Sequence, residues 1–129
     1  MIRPESVLLA VNGNLMSGLA MDYIMLDAGA ILVKEAVTMP TYRMFSIDER
    51  HPAMQRVSRG GANIAVEVWL VPLAGLASIL LQEPPGLCVG KVMLSEGEEV
   101  LGVLGEAILC ENRTEITRFG GWKAYLEQK

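Results

Sequence analysis

The stretch LLAVNGNLMSG, residues 8–18, joins a continuous apolar run to a loop of glycine, asparagine and serine. The apolar residues 7–11 are rich in strand formers and predict a strand covered on both faces, near the centre of a sheet. After the loop, apolar residues at three- and four-residue spacings predict a helix over 17–27, which Gly29 would end. A strand, a glycine loop and a helix in this order indicate a fold that mixes α and β elements.

The rest of the chain alternates further strand patterns with two more helix patterns. Residues 48–61 are polar and charged and end in glycine, so they predict a mostly exposed loop with a short edge strand over 55–57. We predict an α+β fold with a mixed sheet or partial barrel and two or three outer helices, in a single domain over residues 1–129. The predicted strands cover 30–38, 42–47, 62–71, 90–95 and 98–106, and the predicted helices cover 72–82 and 122–127.

Composition limits the classes of function. The 129 residues are 51% hydrophobic, which is enough for one sizeable core, and the formal net charge is -4. Because no Lys/Arg cluster offsets that charge, we expect no nucleic-acid partner. No apolar run is long enough to span a membrane and residues 1–5 lack the features of a signal peptide. We therefore expect a cytoplasmic protein without membrane contact, in which Cys88 and Cys110 are reduced thiols packed as small hydrophobes.

The loop after the first strand carries donors suited to a negatively charged ligand. Backbone N–H groups in a glycine turn at a helix start lack partners and, with the helix dipole, attract carboxylate or phosphate groups. Gly13 permits a positive φ or the close approach of a ligand, while Asn14 and Ser17 can bind a ligand or cap the helix. A plain strand-to-helix turn with one of these caps is the alternative. The candidate ligand-binding residues of this loop are Asn12, Gly13, Asn14, Leu15 and Ser17.

Other side chains are candidates because of their chemistry. His51 is the only histidine, and its ordinary pKa near neutrality suits proton transfer. With no cysteine near it in sequence, we expect no metal site. Arg43 and Arg59 can clamp a carboxylate with paired hydrogen bonds, and Tyr42 can donate a hydrogen bond at a pocket edge. The alternatives are an exposed histidine, solvated or internally paired arginines, and a tyrosine half in the core.

Several motifs resemble known families. LLAVNGNLMSG resembles the strand and glycine loop of the gamma-glutamyl cyclotransferase-like superfamily, with Asn12 where that motif has tyrosine. Four further segments resemble the C-terminal domain of allophanate hydrolase: TYRMFSI (41–47), VEVWLVP (66–72), GLCVGKVML (86–94) and ITRFGGWKAYL (116–126). The run Phe119-Gly120-Gly121-Trp122 near the C-terminus is typical of that domain. On this resemblance the chain is identified as a relative of the allophanate hydrolase C-terminal domain.

The resemblance implies roles for particular residues. In gamma-glutamyl cyclotransferases a glutamate after a Val-Trp strand and a helix acts as general acid/base, and Glu83 is the best positional match. A carboxyl group in an apolar surround can have a pKa raised toward neutrality, as such proton transfer requires. Allophanate hydrolase converts allophanate to ammonia and carbon dioxide, and its amide-cleaving Ser-Ser-Lys site lies in an amidase domain not found among these 129 residues. Its C-terminal domain is assigned either decarboxylation of the N-carboxycarbamate intermediate or a role in subunit assembly.

Two hypotheses for function follow. In the first, the chain is a stand-alone relative that binds a small carboxylate or ureido compound and catalyses a cyclotransferase-like or decarboxylation step through Glu83 and His51, without a cofactor. In the second, it is a non-catalytic assembly module that forms a homodimer or docks an amidase partner. The first predicts a concave pocket where the loop N–H groups, Glu83 and an arginine converge. The second predicts an apolar patch and a large symmetric interface.

Overall fold

The structure is a computed structural model in which residues 5–129 are described. The strands are β1 (Ser6–Val11), β2 (Ile31–Val37), β3 (Tyr42–Ile47), β4 (His51–Arg56), β5 (Ala65–Pro72), β6 (Leu87–Met93), β7 (Glu99–Gly105) and β8 (Thr114–Glu115). The helices are α1 (Asp22–Asp27), α2 (Leu73–Gln82), α3 (Ala107–Cys110) and α4 (Trp122–Glu127), and a 3-10 turn at Thr117–Phe119 precedes α4. Within this described range, no helix has both the length and the apolar character needed to cross a membrane.

The larger sheet has five strands in the order β2-β5-β1-β7-β6. Strand β1 lies at its centre, antiparallel to β5 and parallel to β7. Leu9, Ala10 and Val11 are buried, as the continuous apolar run of β1 requires. The prediction of a mixed sheet with this strand near its centre is confirmed.

The two edges of the larger sheet approach each other at one end. Thr38, just after β2, forms a bridge with Leu94, just after β6. Beside this bridge, the N–H of Met39 donates to the carbonyl oxygen of Met93 at 3.0 Å. The sheet therefore curves into a partial barrel, and a second sheet in the order β4-β3-β8 lies beside it.

The core divides between the two faces of β5, because successive side chains of a strand point to opposite faces. Val66 and Val68 pack into one buried cluster with Trp122. Trp69 and Val71 pack into a second buried cluster together with residues of α1 and α2. Residue 67 belongs to the second face, so a polar side chain there enters an apolar environment.

The hairpin of β3 and β4 corrects the prediction for residues 48–61. Instead of a mostly exposed loop with an edge strand over 55–57, residues His51–Arg56 pair along β3, and residues 52–54 are buried. The charged turn and a proline inside the strand hide its pattern in the sequence. Two residues of that turn have positive φ, Asp48 (54°) and Glu49 (60°).

The first helix starts later than predicted. The pattern predicts residues 17–27, but α1 covers only Asp22–Asp27. Ser17 does not cap a helix, because its N–H and hydroxyl both bind the carboxylate of Glu67. Gly18 then takes a positive φ of 83°, which takes the chain out of helical geometry. The loop after β1 is therefore longer than the sequence indicates.

Candidate functional site

Asparagine side chains hold the loop between β1 and α1 in place. Asn12 is buried and donates from Nδ2 to the carbonyl oxygen of Val103 at 2.9 Å. Asn14 donates from Nδ2 to the carbonyl oxygen of Arg50 at 2.7 Å, and its Oδ1 accepts from Nε1 of Trp122 at 2.8 Å. Because these amide groups are engaged within the protein, the loop offers a ligand mainly its backbone N–H groups.

The far end of the loop already holds a carboxylate of the protein itself. The N–H of Ser17 donates to Oε1 of Glu67, and the Ser17 hydroxyl donates to Oε2, both at 2.7 Å. Ser17, predicted to bind a ligand, binds Glu67 instead. Over residues 5–129, no protein group accepts a hydrogen bond from the N–H of Gly13, Asn14 or Leu15. These three N–H groups are free donors in the part of the loop that precedes Met16.

A cavity of about 420 Å³ lies beside Asn14 and Leu15, and we call it the loop cavity. The end of α2, the start of α1 and the turn between β3 and β4 form its other walls. A void of about 20 Å³, room for one water molecule, adjoins it against Gly13. The polar residues that line the loop cavity are Asn14, Asp48, Arg50, His51, Gln82 and Glu83.

Glu83 lies at the C-terminal end of α2, where its N–H donates to the carbonyl oxygen of Leu80. It lines both the loop cavity and the small adjoining void. Burial among apolar groups and the following prolines raises the pKa of Glu83 to about 7. Near neutral pH this carboxyl group therefore exists in both its protonated and its ionised form, as a general acid/base requires.

His51 begins β4 and lines the same two cavities. Its Nδ1 lies 3.0 Å from the carbonyl oxygen of Pro52. A carbonyl oxygen only accepts hydrogen bonds, so Nδ1 is the donor in this contact and Nε2 is not engaged by it. His51 and Glu83, which are distant in sequence, thus flank one cavity.

Arg50 is the cationic residue of the loop cavity, and it is not among the site residues predicted from the sequence. It is exposed, and no carboxylate of residues 5–129 forms a salt bridge with its guanidinium. Its backbone carbonyl accepts from Asn14, which ties the β3–β4 turn to the loop. In the sequence, only the position of Arg50 directly before His51 connects it with the site. Because residues 48–61 are predicted to form an exposed loop, the sequence does not predict that Arg50 lies near Glu83.

Three predicted ligand-binding residues lie away from the loop cavity. Tyr42 is fully buried in the core, and its hydroxyl accepts from the N–H of Met93 at 3.1 Å. Arg43 donates from Nε to the carbonyl oxygen of Gly60. Arg59 is exposed and does not line the loop cavity or its adjoining void. The β3–β4 hairpin explains this correction, because it brings Arg50 to the cavity and carries Tyr42 and Arg43 away from it.

A second cavity, of about 640 Å³, lies near the Phe119-Gly120-Gly121-Trp122 run, and we call it the outer cavity. Glu67 and Lys123 form part of its wall and are joined by an ion pair of 3.1 Å. Glu67 is not among the site residues predicted from the sequence. Its signal was an acidic residue inside the otherwise apolar strand β5, an arrangement that is rare unless the carboxylate is paired.

The structure offers no preformed metal site in the range it describes, 5–129: no three His, Cys, Asp or Glu side chains are grouped to hold an ion. Both cysteines are free thiols. Cys110 is buried, as expected of a thiol packed as a hydrophobe, but Cys88 is exposed, which corrects that expectation.

The fold is gamma-glutamyl cyclotransferase-like, as the motif of the first loop predicts. An AIG2-like protein from Mus musculus matches the structure with a TM-score of 0.62, over 82% of this chain and 80% of that chain, at 15% identity. At that identity the likeness shows the fold alone. The family described as the allophanate hydrolase C-terminal domain matches residues 7–127. The chain therefore belongs to this family, which confirms the resemblance found in the sequence.

Relatives with known names are similar over nearly the whole chain. The c4763 protein, described as uropathogenic E. coli-specific, is 48% identical, with a TM-score of 0.93 over 96% of this chain and 98% of that chain. Kluyveromyces lactis allophanate hydrolase is 28% identical, with a TM-score of 0.90 over 95% of this chain and 21% of that chain. Saccharomyces cerevisiae urea amidolyase is 26% identical over 129 residues, 95% of this chain. The chain spans only 7% of that curated relative.

Proposed function

We propose that this domain binds a small carboxylate of the ureido or dicarboxylate class in the loop cavity and catalyses its decarboxylation. One observation supports the proposal above all. Residues 14 and 15, Arg50, His51 and Glu83 line the loop cavity, and Gly13 lines the adjoining void together with His51 and Glu83. Anion donors and proton-transfer groups thus meet in one place, although they come from separate parts of the chain.

The binding part of the proposal rests on charge and size. Backbone N–H groups and a guanidinium are the groups that proteins use to bind carboxylates. Arg50 is free of internal ion pairs in the described residues, so it is available to a ligand. A volume of about 420 Å³ holds a small dicarboxylate with water. N-carboxycarbamate, the intermediate associated with allophanate hydrolysis, belongs to this class.

The chemical part assigns a proton donor. In N-carboxycarbamate the bond between nitrogen and one carboxylate carbon breaks, and its electron pair stays on nitrogen while carbon dioxide leaves. The nitrogen takes a proton, which leaves carbamate as the other product. Glu83 supplies that proton, because its pKa of about 7 keeps part of the population protonated at neutral pH. His51 is half-buried and returns a proton from solvent to the site through Nε2.

We propose the cytoplasm as the compartment, since the thiols of Cys88 and Cys110 stay reduced there.

The test couples the domain to an amidase that generates N-carboxycarbamate from allophanate and follows release of carbon dioxide. The wild-type protein is expected to speed release beyond the uncatalysed rate, and Glu83→Gln is expected to lose about 100-fold or more of that acceleration. Glu127→Gln, at an exposed position of α4, is the matched control and keeps full activity. Gamma-glutamyl peptides are assayed in parallel, because turnover of these instead would assign the site a cyclotransferase-like step. No acceleration with either substrate would contradict catalysis.

Exposed apolar residues favour assembly as a second candidate function. Ile31 and Val33 on the edge strand β2 are 65% and 51% exposed, although such side chains are usually buried. They could hold a homodimer or dock an amidase. Sedimentation of wild type and Ile31→Glu tests this: a dimer that the variant converts to a monomer supports assembly. A wild-type monomer that also does not bind an allophanate-cleaving amidase contradicts it.

A further inference from the structure

Glu67 is a buried carboxylate outside the loop cavity. It lies in the middle of β5 and is 1% exposed. Four hydrogen bonds satisfy it: from the N–H and the hydroxyl of Ser17, from Nε1 of Trp69 at 3.1 Å and from Nζ of Lys123 at 3.1 Å. A buried acid with this many donors is rigidly held, so whatever it binds is held as well.

The charge state of Glu67 follows from these contacts. Burial by itself raises the pKa of a carboxyl group, but the hydrogen bonds from Ser17, Lys123 and Trp69 outweigh it and hold the pKa of Glu67 below its ordinary value. The group is therefore ionised at neutral pH. It acts as an internal anion rather than as a proton donor.

The donors of Glu67 come from three parts of the chain: Ser17 from the loop, Trp69 from β5 and Lys123 from α4. Ser17 is two residues beyond Leu15, whose N–H is free. The intervening turn is closed by a hydrogen bond from the N–H of Met16 to the carbonyl oxygen of Gly13 at 3.0 Å. A shift of Ser17 would therefore move the backbone of residues 13–15, of which Asn14 and Leu15 line the loop cavity and Gly13 lines the adjoining void.

We propose that Glu67 is a positioning residue for the candidate site: by binding Ser17 as an internal anion, it fixes the backbone N–H groups of residues 13–15 in the geometry that receives a ligand carboxylate. This inference rests on the proposed function for the identity of the ligand. The effect of Glu67 on the geometry of the loop does not depend on that function. Glu67 does not line the loop cavity, so it acts through Ser17. Lys123 supports the same carboxylate from the side of the outer cavity.

The test uses the full chain with malonate as the probe, together with ¹H–¹⁵N spectra of the backbone amides. Ser17→Ala removes the hydroxyl donor, while Ser17→Thr keeps one and serves as the conservative rescue. Glu67→Gln removes the charge with little change in size. Lys34→Met is the matched control, because it breaks an ion pair of similar length, 2.7 Å to Glu98, in the wall of the same outer cavity but away from the loop. Affinities are compared at a temperature where urea titrations show every variant to be folded.

The inference predicts that Ser17→Ala and Glu67→Gln shift the amide signals of residues 13–15 in the free protein and weaken malonate binding by about ten-fold or more. Ser17→Thr and Lys34→Met leave both readouts near wild type. If wild type does not bind malonate, the proposed ligand class fails, and the amide shifts alone decide the role of Glu67. Unchanged signals at residues 13–15 in Ser17→Ala and Glu67→Gln, with or without malonate binding, would overturn the inference.

Discussion

The indole Nε1 of Trp122 donates a hydrogen bond to Oδ1 of Asn14 at 2.8 Å, across 108 positions of sequence. This contact joins the Phe-Gly-Gly-Trp run near the C-terminus to the loop that follows β1. Asn14 in turn donates to the backbone of Arg50, so one side chain connects the C-terminal motif, the loop and the β3–β4 turn. Two of the segments that carry the family resemblance, the glycine loop and the C-terminal run, therefore meet beside the candidate site.

We expect Trp122→Phe to lower the free energy of unfolding by about 2–4 kcal/mol, because it leaves part of a buried space empty and removes the donor to Asn14. Urea denaturation measures the loss. Tyr125→Phe is the control from the same helix, because it removes only a hydroxyl that binds the exposed Glu49 and is expected to cost about 1 kcal/mol or less. Equal losses in the two variants would contradict a special role for the contact between Trp122 and Asn14.

Glu83→Gln is expected to stabilise the protein at pH 8 although it impairs the proposed chemistry. The pKa of this carboxyl group rises from 4.5 in the unfolded chain to about 7 in the fold. Below pH 4.5 the group is protonated in both states, so its favourable contribution is complete there and is lost as the pH rises through 7. The difference between the two pKa values corresponds to a change of up to about 3 kcal/mol in the free energy of unfolding.

Urea titrations of wild type and Glu83→Gln from pH 4 to pH 8 check this pH dependence. The free energy of unfolding of the variant should rise relative to that of wild type as the pH increases from about 4.5 to about 7. Below about pH 4.5 this pH-dependent difference should vanish. Glu127→Gln, at an exposed site, should show no such trend. A difference between wild type and Glu83→Gln that does not vary with pH would mean that the Glu83 carboxyl ionises as it does in water.

Arg50→Gln is expected to weaken malonate binding by about ten-fold, since one exposed charge-assisted hydrogen bond contributes roughly 1.4 kcal/mol. The wild-type affinity should fall with added salt, and the variant should lose part of this dependence. Arg43→Gln is the matched control, because the Arg43 guanidinium binds Gly60 and lies 3.7 Å from Glu115. Titration calorimetry measures the malonate affinity of wild type and of both variants, at low and at high salt. A larger loss of malonate affinity in Arg43→Gln than in Arg50→Gln would contradict this prediction. It would support Arg43 as the arginine that binds the carboxylate, as the sequence predicts.

Tyr42→Phe is expected to cost about 1–2 kcal/mol of stability and to leave malonate affinity unchanged. The change removes the hydroxyl that accepts from the N–H of Met93, and a poorly solvated donor then lacks a partner. Thermal unfolding measures the first effect and calorimetry the second. A marked loss of affinity in this variant would return Tyr42 to the list of ligand-binding residues.

The sequence predicts the centre of the fold well. The apolar run of β1, the long strand β5 and the proline that introduces α2 are local signals, because each depends on residues that are neighbours in the chain. The resemblance predicts Glu83 as a site residue, and in the structure Glu83 lines the loop cavity with Asn14 and Leu15 and the adjoining void with Gly13.

The remaining parts of the site depend on long-range contacts that no local pattern carries. Arg50 reaches the cavity only because β4 pairs with β3, and the charges of the turn conceal that strand. Ser17 has the composition of a helix cap, yet it binds Glu67, which lies 50 positions away in sequence. Tyr42 and Arg43 lie in a strand, as their alternating pattern predicts. Which of the two side chains points into the core depends on which face of the hairpin packs there, and the pattern does not give this.

The central claim is that the loop cavity binds a small carboxylate, and thermal unfolding of wild type with malonate tests it most directly. A ligand at a hundred times its dissociation constant stabilises the folded state by about 2.7 kcal/mol, which raises the melting temperature by several degrees. We predict a saturable increase with malonate that Arg50→Gln and Glu67→Gln reduce, and little increase with sodium chloride at equal ionic strength. No increase beyond that of sodium chloride, for malonate or any other small carboxylate, would contradict the claim.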